Sequence, residues 1–319
     1  MSDDVPPSVV SDGADPIGAR LRQPARHLHL AELHQAWYRH RLRVVVPWPA
    51  GFVPDVGLPG RLRGAMGQRL LESASDEARE GRPCPWRPAS ALDPLFVARR
   101  IGASLEAPKP LLPSVTAAGR ELVFTCDLFG FATAWSDVVA EAMVAALRAG
   151  LLDGEGRRWA FTPAARLLDE LQGFDLPPAG AVAVVFQFAT PLCLRRRQGE
   201  AGAGAPLAGP LLASIANRVS GMARWHDSGI EADWRSLAAR WHGLAEDPGG
   251  LRAVTWGRVS HRQGGRAVPM AGVFGTFLAS GVEADLALLV ALGATVGAGS
   301  HTALGLGRYT PAFVVPEPG

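Results

Sequence analysis

Near the carboxyl end of this 319-residue chain, Gly293, Gly297, Gly299, Gly305 and Gly307 crowd into one stretch, GATVGAGSHTALGLGRY, residues 293–309. Glycine is needed where φ turns positive or where a second backbone comes very close, so this density marks a segment built to hold something. Spacing narrows what it holds. A Walker loop needs Gly-Lys-Ser/Thr, and the chain contains no Gly-Lys. A dinucleotide fingerprint would set its third glycine where Thr302 stands and would follow a strand, whereas this stretch follows an apolar helix. Two readings remain. Either free backbone N–H groups and Arg308 face a phosphodiester backbone, or the stretch is a tight helix-to-strand turn whose glycines serve packing alone.

The elements that must position this loop follow from periodicity. The spacing predicts a strand from Leu42 to Trp48, then a helix opened by Pro59 and running to about Ala74, with Leu62, Met66 and Leu70 as its buried stripe and Arg61 and Arg63 left polar. Strands near 95–101 and at Glu121 to Phe129, a helix over 134–149 and a strand at Arg158 to Thr162 complete a ferredoxin-like order. A helix near 163–172 and Pro177-Pro178 form the linker. The second half repeats the order: a strand from Ala181 to Ala189, helices at 210–224 and 230–245, strands near 251–263 and 270–279, a helix at 283–292 and a last strand from Gly307 to Val315. The expected organisation is α+β, with a disordered tail at 1–26 and ferredoxin-like domains at 27–176 and 177–319.

The sequence resembles the CRISPR RNA-processing endoribonucleases of the RAMP superfamily. That family places a glycine-rich loop ending in Gly-Leu-Gly-Arg-Tyr, or a close variant, just before its last strand. The resemblance continues upstream in RLRGAMG (61–67), ALDPLF (91–96), FTCDLFG (124–130), TPLCL (190–194) and WGRVSHRQ (256–263), in family order and over most of the chain beyond residue 40. It implies tandem ferredoxin-like (RRM-like) domains, binding of CRISPR repeat RNA, and one metal-independent cut that releases guide RNAs. The competing implication is a non-catalytic RNA-binding subunit of a CRISPR effector complex, and either role brings further subunits of such a complex as partners.

Cleavage by the RNA's own 2′-hydroxyl needs a base for that hydroxyl, an acid for the departing 5′-oxygen, and a cation for the crowded phosphate. Histidine titrates in the right range for either proton. The family's usual histidine lies on or near the first helix of the first domain, yet residues 58–75 contain none. His301 is the first candidate, because the glycine loop sets it beside the bound backbone; His261 is second and His40 third. Relatives often carry a basic residue where Ser300 stands. The expected RNA contacts are Gly297, Gly299, Ser300, Gly305, Gly307 and Arg308 of the loop, Arg258, Ser260, Arg262 and Arg266 of the hairpin, Arg195, Arg196 and Arg197, and Arg61 and Arg63. His226 and His242 read as structural, and Tyr309 as packing.

No cofactor or metal site is expected. His27, His29, His34 and His40 lie close together, but no acidic or cysteine ligand follows at a usual spacing. Cys84, Cys126 and Cys193 are far apart and odd in number, which suits a reducing compartment. No apolar run approaches a membrane span and the start, MSDDVPPS, lacks a signal-peptide layout, so the expected location is the cytoplasm. The net charge of +2 hides a gradient: Asp3, Asp4, Asp12 and Asp15 carry −4 with no base before residue 16, so residues 16–319 carry +2 − (−4) = +6. All basic residues but Lys109 are arginine, whose planar fork bonds phosphate and stacks on bases.

Overall fold

The computed structural model describes residues 15–102, 105–194, 207–260 and 266–316, with backbone only at 258–260 and 266–267. The chain opens on α1 (Pro16–Arg22), capped by the Asp15 carboxylate, and strand β1 (Arg26–His29). Then come β2 (Tyr38–Pro47), α2 (Leu58–Leu71), β3 (Leu111–Ala118), β4 (Glu121–Phe129), α3 (Ser136–Ala149) and β5 (Ala165–Gln172). The second half holds β6 (Ala183–Leu192), α4 (Ala208–Ala223), β7 (Ser228–Glu231), α5 (Trp234–His242), β8 (Ala245–Ser260), β9 (Arg266–Ser280), α6 (Ala284–Val296) and β10 (Tyr309–Val314).

Each half forms one four-stranded antiparallel sheet, ordered β3-β4-β2-β5 and β8-β9-β6-β10. Both orders are the ferredoxin-like one, with the first and third strands of each unit in the centre. The alternation of β2 explains its orientation: Leu42, Val44 and Val46 are buried on the helix side, and Arg39, Arg41 and Arg43 lie on the opposite face. In the second unit Val184, Phe186 and Phe188 point to the helix side, where Phe186 and Phe188 pack against Tyr309, whose hydroxyl donates to the Val290 carbonyl at 2.7 Å.

Several expectations are corrected. The stretch 95–101 is not the second strand: Leu92–Phe96 is a short helix, and the strand is β3, which begins at Leu111. Pro113 is tolerated there because β3 is a sheet edge and needs no second ladder of N–H bonds. The segment 163–172 reads as helix by local propensity but becomes β5, held by pairing with β2 from Tyr38↔Gln172 to Val45↔Ala165. Arg158–Trp159 forms only a small hairpin with Leu151–Leu152. The expected tail over 1–26 is also shortened, since Pro16–Arg22 is helical and Asp15 accepts from the buried Arg99 guanidinium at 2.9 Å. One helical stretch, Gly130–Ala149, does reach the length and composition of a membrane span, but half of it is buried in the fold as a core helix.

The two halves share packing. β1 pairs in parallel with β7 across the halves. Trp37 stacks on His226 at 4.3 Å, Phe131 lies 4.8 Å from Trp225, and the Trp225 indole donates to the Pro108 carbonyl at 2.9 Å. Gly130 adopts φ 57, and a Cβ there would meet the Trp225 carbonyl oxygen at 1.9 Å, so the backbones of the two halves touch at a position only glycine fills.

Candidate functional site

Helix α6 is apolar nearly throughout and ends at Gly297, where φ turns to 73. From there the backbone stays irregular to β10, with positive φ at Gly299, His301, Gly305 and Gly307. Gly307 is obligatory, because a Cβ there would stand 1.8 Å from the Ala298 carbonyl oxygen. The amides are spoken for. Ala298 N–H donates to the Gly307 carbonyl at 2.9 Å, Ser300 N–H to Cys193 at 2.7 Å and Gly307 N–H to Pro191 at 2.9 Å. Gly299 N–H donates to the Ser214 hydroxyl and Arg308 N–H to the Thr190 hydroxyl at 2.9 Å. The expectation that free N–H groups at Gly297, Gly299, Gly305 and Gly307 face a ligand is therefore corrected: Gly297, Gly305 and Gly307 are buried, the amides of all four are bonded internally, and these residues shape the bend.

The bend is also buttressed from outside. Ser214 and Arg218 lie one turn apart on α4, and the Arg218 Nε donates to the Val296 carbonyl at the end of α6. Burial lowers the Arg218 pKa to about 9. On the other side the bend rests on the first unit. Leu304 lies against Gly60, Gly305 against Pro59 and the Pro113 carbonyl, and Leu306 packs with Cys193, Met270, Val56, Trp256 and Val268. The loop is thus wedged where α2, β3 and the turn-ward half of the β8–β9 ribbon meet. His301 is exposed on it, in a left-handed conformation, with Ser300, Ala303 and Leu304 half-buried beside it.

His40 sits elsewhere, on the helix side of β2. Its Nδ1 lies 2.8 Å from the Ser136 hydroxyl, which itself donates to the Thr133 carbonyl at 2.7 Å. The hydroxyl proton is used, so Nδ1 of neutral His40 carries the hydrogen and Nε2 carries the lone pair. Arg61 and Arg63, expected as RNA contacts, are engaged within the first unit: Arg61 pairs with Asp55 at 2.6 Å, and Arg63 lies 4.2 Å over the Phe96 ring and donates to the Leu95 carbonyl. Arg308 is half-buried beside Arg41 and Asp127 of the first sheet. Arg258, Ser260 and Arg266 fall at ribbon positions Arg258↔Val268 and Ser260↔Arg266. His261, Arg262, Arg195, Arg196 and Arg197 lie outside the described residues.

Sequence reasoning missed Arg39, Arg41 and Asp127. The signal was present: Tyr-Arg-His-Arg-Leu-Arg alternates from residue 38, but a strand begun at Leu42 leaves Arg39 and Arg41 outside the sheet. It also missed Ser214 and Arg218, for which helix periodicity carries no signal beyond two polar positions on an apolar face.

Residues 186–309, which end on the glycine-rich bend, match the model of the family described as CRISPR-associated endoribonuclease Cas6. No curated protein matches the sequence. Among solved structures, the Cas6 (TTHA0078) product complex is similar at TM-score 0.50 and 16% identity, covering 86% of this chain and 99% of the other. The product complex of Cas6 (TTHB231), a Thermus thermophilus protein, is similar at TM-score 0.50 and 14% identity with the same coverage. At such identity these structures speak for the fold, which is the tandem ferredoxin-like one. The motif resemblance is borne out on the second unit, where the match to the family model lies, and the tandem fold agrees with it.

Proposed function

We propose that this chain binds the repeat of a CRISPR precursor transcript and cuts it once without a metal, releasing guide RNAs. The observation that carries the reading is the glycine-rich bend, held rigid by both halves and included in the family match, with exposed His301 at its surface. In the reaction the 2′-oxygen attacks phosphorus, the P–O5′ bond breaks, and a 2′,3′-cyclic phosphate and a 5′-hydroxyl form. A base takes the 2′-hydroxyl proton and an acid returns one to O5′. His301 is the histidine set to meet RNA lying over the bend. His40, whose Nε2 lone pair is fixed by Ser136, is the second group with a base's geometry.

A second reading is a non-catalytic RNA-binding subunit acting with other CRISPR proteins. It is favoured by one observation: α2 carries no histidine, and its Arg61 and Arg63 are tied to Asp55 and Phe96. Labelled repeat RNA incubated in EDTA separates the two. One cut ending in a cyclic phosphate supports the nuclease, and tight binding with no cut supports the subunit. Replacing the scissile 2′-hydroxyl by hydrogen is expected to stop cutting while binding persists. His301→Ala is expected to lower the single-turnover rate about 10²-fold or more, the range for loss of a general acid or base. An unchanged rate removes His301 and leaves His40→Ala as the deciding variant.

A further inference from the structure

Four strands stand at the edges of the two large sheets, β3 and β5 in the first and β8 and β10 in the second. An edge strand offers a row of unpaired N–H and C=O groups to any other chain, and three of these four are blunted against that. β3 carries Pro113, β10 carries Pro311, and β8 carries Pro248 with a break in its register between Asp247 and Gly250. β5 reads ARLLDELQ, with neither proline nor glycine, and its pairing with β2 runs unbroken from Ala165 to Gln172. Among the described residues no strand lies on its other side. Both of its faces are open: Leu167 is 41% exposed and Leu168 47%, with Arg166 and Glu170 exposed beside them.

The residues of this edge are complementary to themselves. Arg166, Leu168 and Glu170 stand opposite Val44, Leu42 and His40 of β2, so all three share the helix side of the sheet. Laid antiparallel on a copy of itself with Leu168 at the centre, the strand sets Arg166 against the partner subunit's Glu170 and Glu170 against the partner subunit's Arg166, with the two leucines meeting between them. Sliding the copy by two residues loses this match, because Leu168 then faces either a glutamate or an arginine. On the outward side Leu167 meets the partner's Asp169, whose carboxylate is already paired with Arg43 within its own sheet at 2.9 Å. Within one copy Arg166 pairs with Asp137 at 3.5 Å, a solvent-exposed contact weak enough to yield. A row of charges of one sign would repel its own copy; opposite signs placed evenly about a leucine attract it.

We propose that β5 is a docking edge for a second copy of this chain: two copies pair β5 to β5, antiparallel about a dyad at Leu168, and their first sheets run on as one. The backbone ladder supplies affinity, and the Arg166–Glu170 pairs fix the register. The dyad stands perpendicular to the sheet, so helix α3 of both copies lies on the same side, where Val138 in its first turn is 42% exposed. The pairing uses no residue of the glycine-rich bend and does not depend on the reading of the chain as a nuclease.

The test is sedimentation equilibrium of the full chain over a concentration series, for wild type, Arg166→Glu, Glu170→Arg, the double exchange of both and Leu168→Lys, with a melting temperature for each to confirm folding. Wild type is expected to pass reversibly from monomer to dimer as concentration rises. Each single reversal sets like charges opposite each other at two places and is expected to weaken the dimer about tenfold or more. The double exchange restores opposite charges and is expected to dimerise as wild type does. Mixing Arg166→Glu with Glu170→Arg in equal amounts is expected to recover the dimer too, because each copy then carries the charges the other lacks; damage to the fold would not be repaired by mixing. Leu168→Lys, which brings two like charges together at the dyad, is expected to leave monomer. A wild type that stays monomeric overturns the inference and leaves this edge to a strand of another protein. Single reversals that dimerise as wild type does, a mixture no tighter than its components, or a dimer that survives Leu168→Lys each overturn it as well.

Discussion

At the scale of single residues, the structure separates histidines that resemble one another in sequence. His226 and His242 occupy similar strings, RWHD and RWHG, yet His226 is buried against Trp37 and accepts from the Tyr38 amide through Nδ1 at 3.4 Å. Burial holds its pKa down at about 3, so it stays neutral in the folded protein. The consequence has a definite sign. Unfolded, the imidazole takes up a proton below its ordinary 6.5; folded, it does so only near 3. The unfolded state binds the extra proton between those values, and stability falls on acidification by about 1.4 kcal/mol per pH unit from this group. Urea unfolding of wild type between about pH 6 and pH 4 is expected to show a steeper loss than His226→Gln by about one proton. Parallel slopes would mean the ring titrates normally.

At the scale of elements, the glycine-rich bend and helix α2 use glycine for different reasons. Gly307 stands at φ 69 against the Ala298 carbonyl, and Gly307→Ala is expected to cost about 3 kcal/mol or more, with the loop displaced. Gly64 is exposed in α2 with nothing within 4 Å of an added Cβ, so Gly64→Ala is expected to gain about 1 kcal/mol, a rise in Tm of about 2–4 °C. Calorimetry on the two variants checks both signs. Ser214→Ala, which strips the hydroxyl from the Gly299 amide, is expected to cost about 1–3 kcal/mol by leaving that donor unmatched. Here the sequence was legible in part. The helix and the last strand around the bend read directly from apolar runs, but the β5 segment carries helix-like letters and became a strand only because β2 had a free edge to fill.

At the scale of the whole molecule, two repeated units read as two domains in the sequence, but the packing joins them. Strand β1 completes a pair with β7, Trp37 stacks on His226, and Trp225 fills the space beside Gly130 and Pro108. Trp225→Ala is expected to cost about 3–5 kcal/mol, as for other large core truncations. Fluorescence and far-UV circular dichroism should report one coincident unfolding transition for the full chain. Residues 177–319 produced alone are expected to lack that cooperative transition, since these contacts are lost; a sharp, independent melt of that fragment would show that the shared packing contributes little.

The linear chain by itself determined the repeated ferredoxin-like order, the glycine-rich bend before the last strand and the family resemblance, because apolar periodicity and glycine spacing are local properties. What only tertiary structure decided is how charge and backbone donors are spent. The bend's amides are consumed by Ser214, Thr190, Cys193 and Pro191, and Arg61 and Arg63 by Asp55 and Phe96, while Arg39 and Arg308, 269 positions apart, are brought close with donors unfilled. Whether a polar group is matched depends on partners distant in sequence, and those are known only once the sheets face each other.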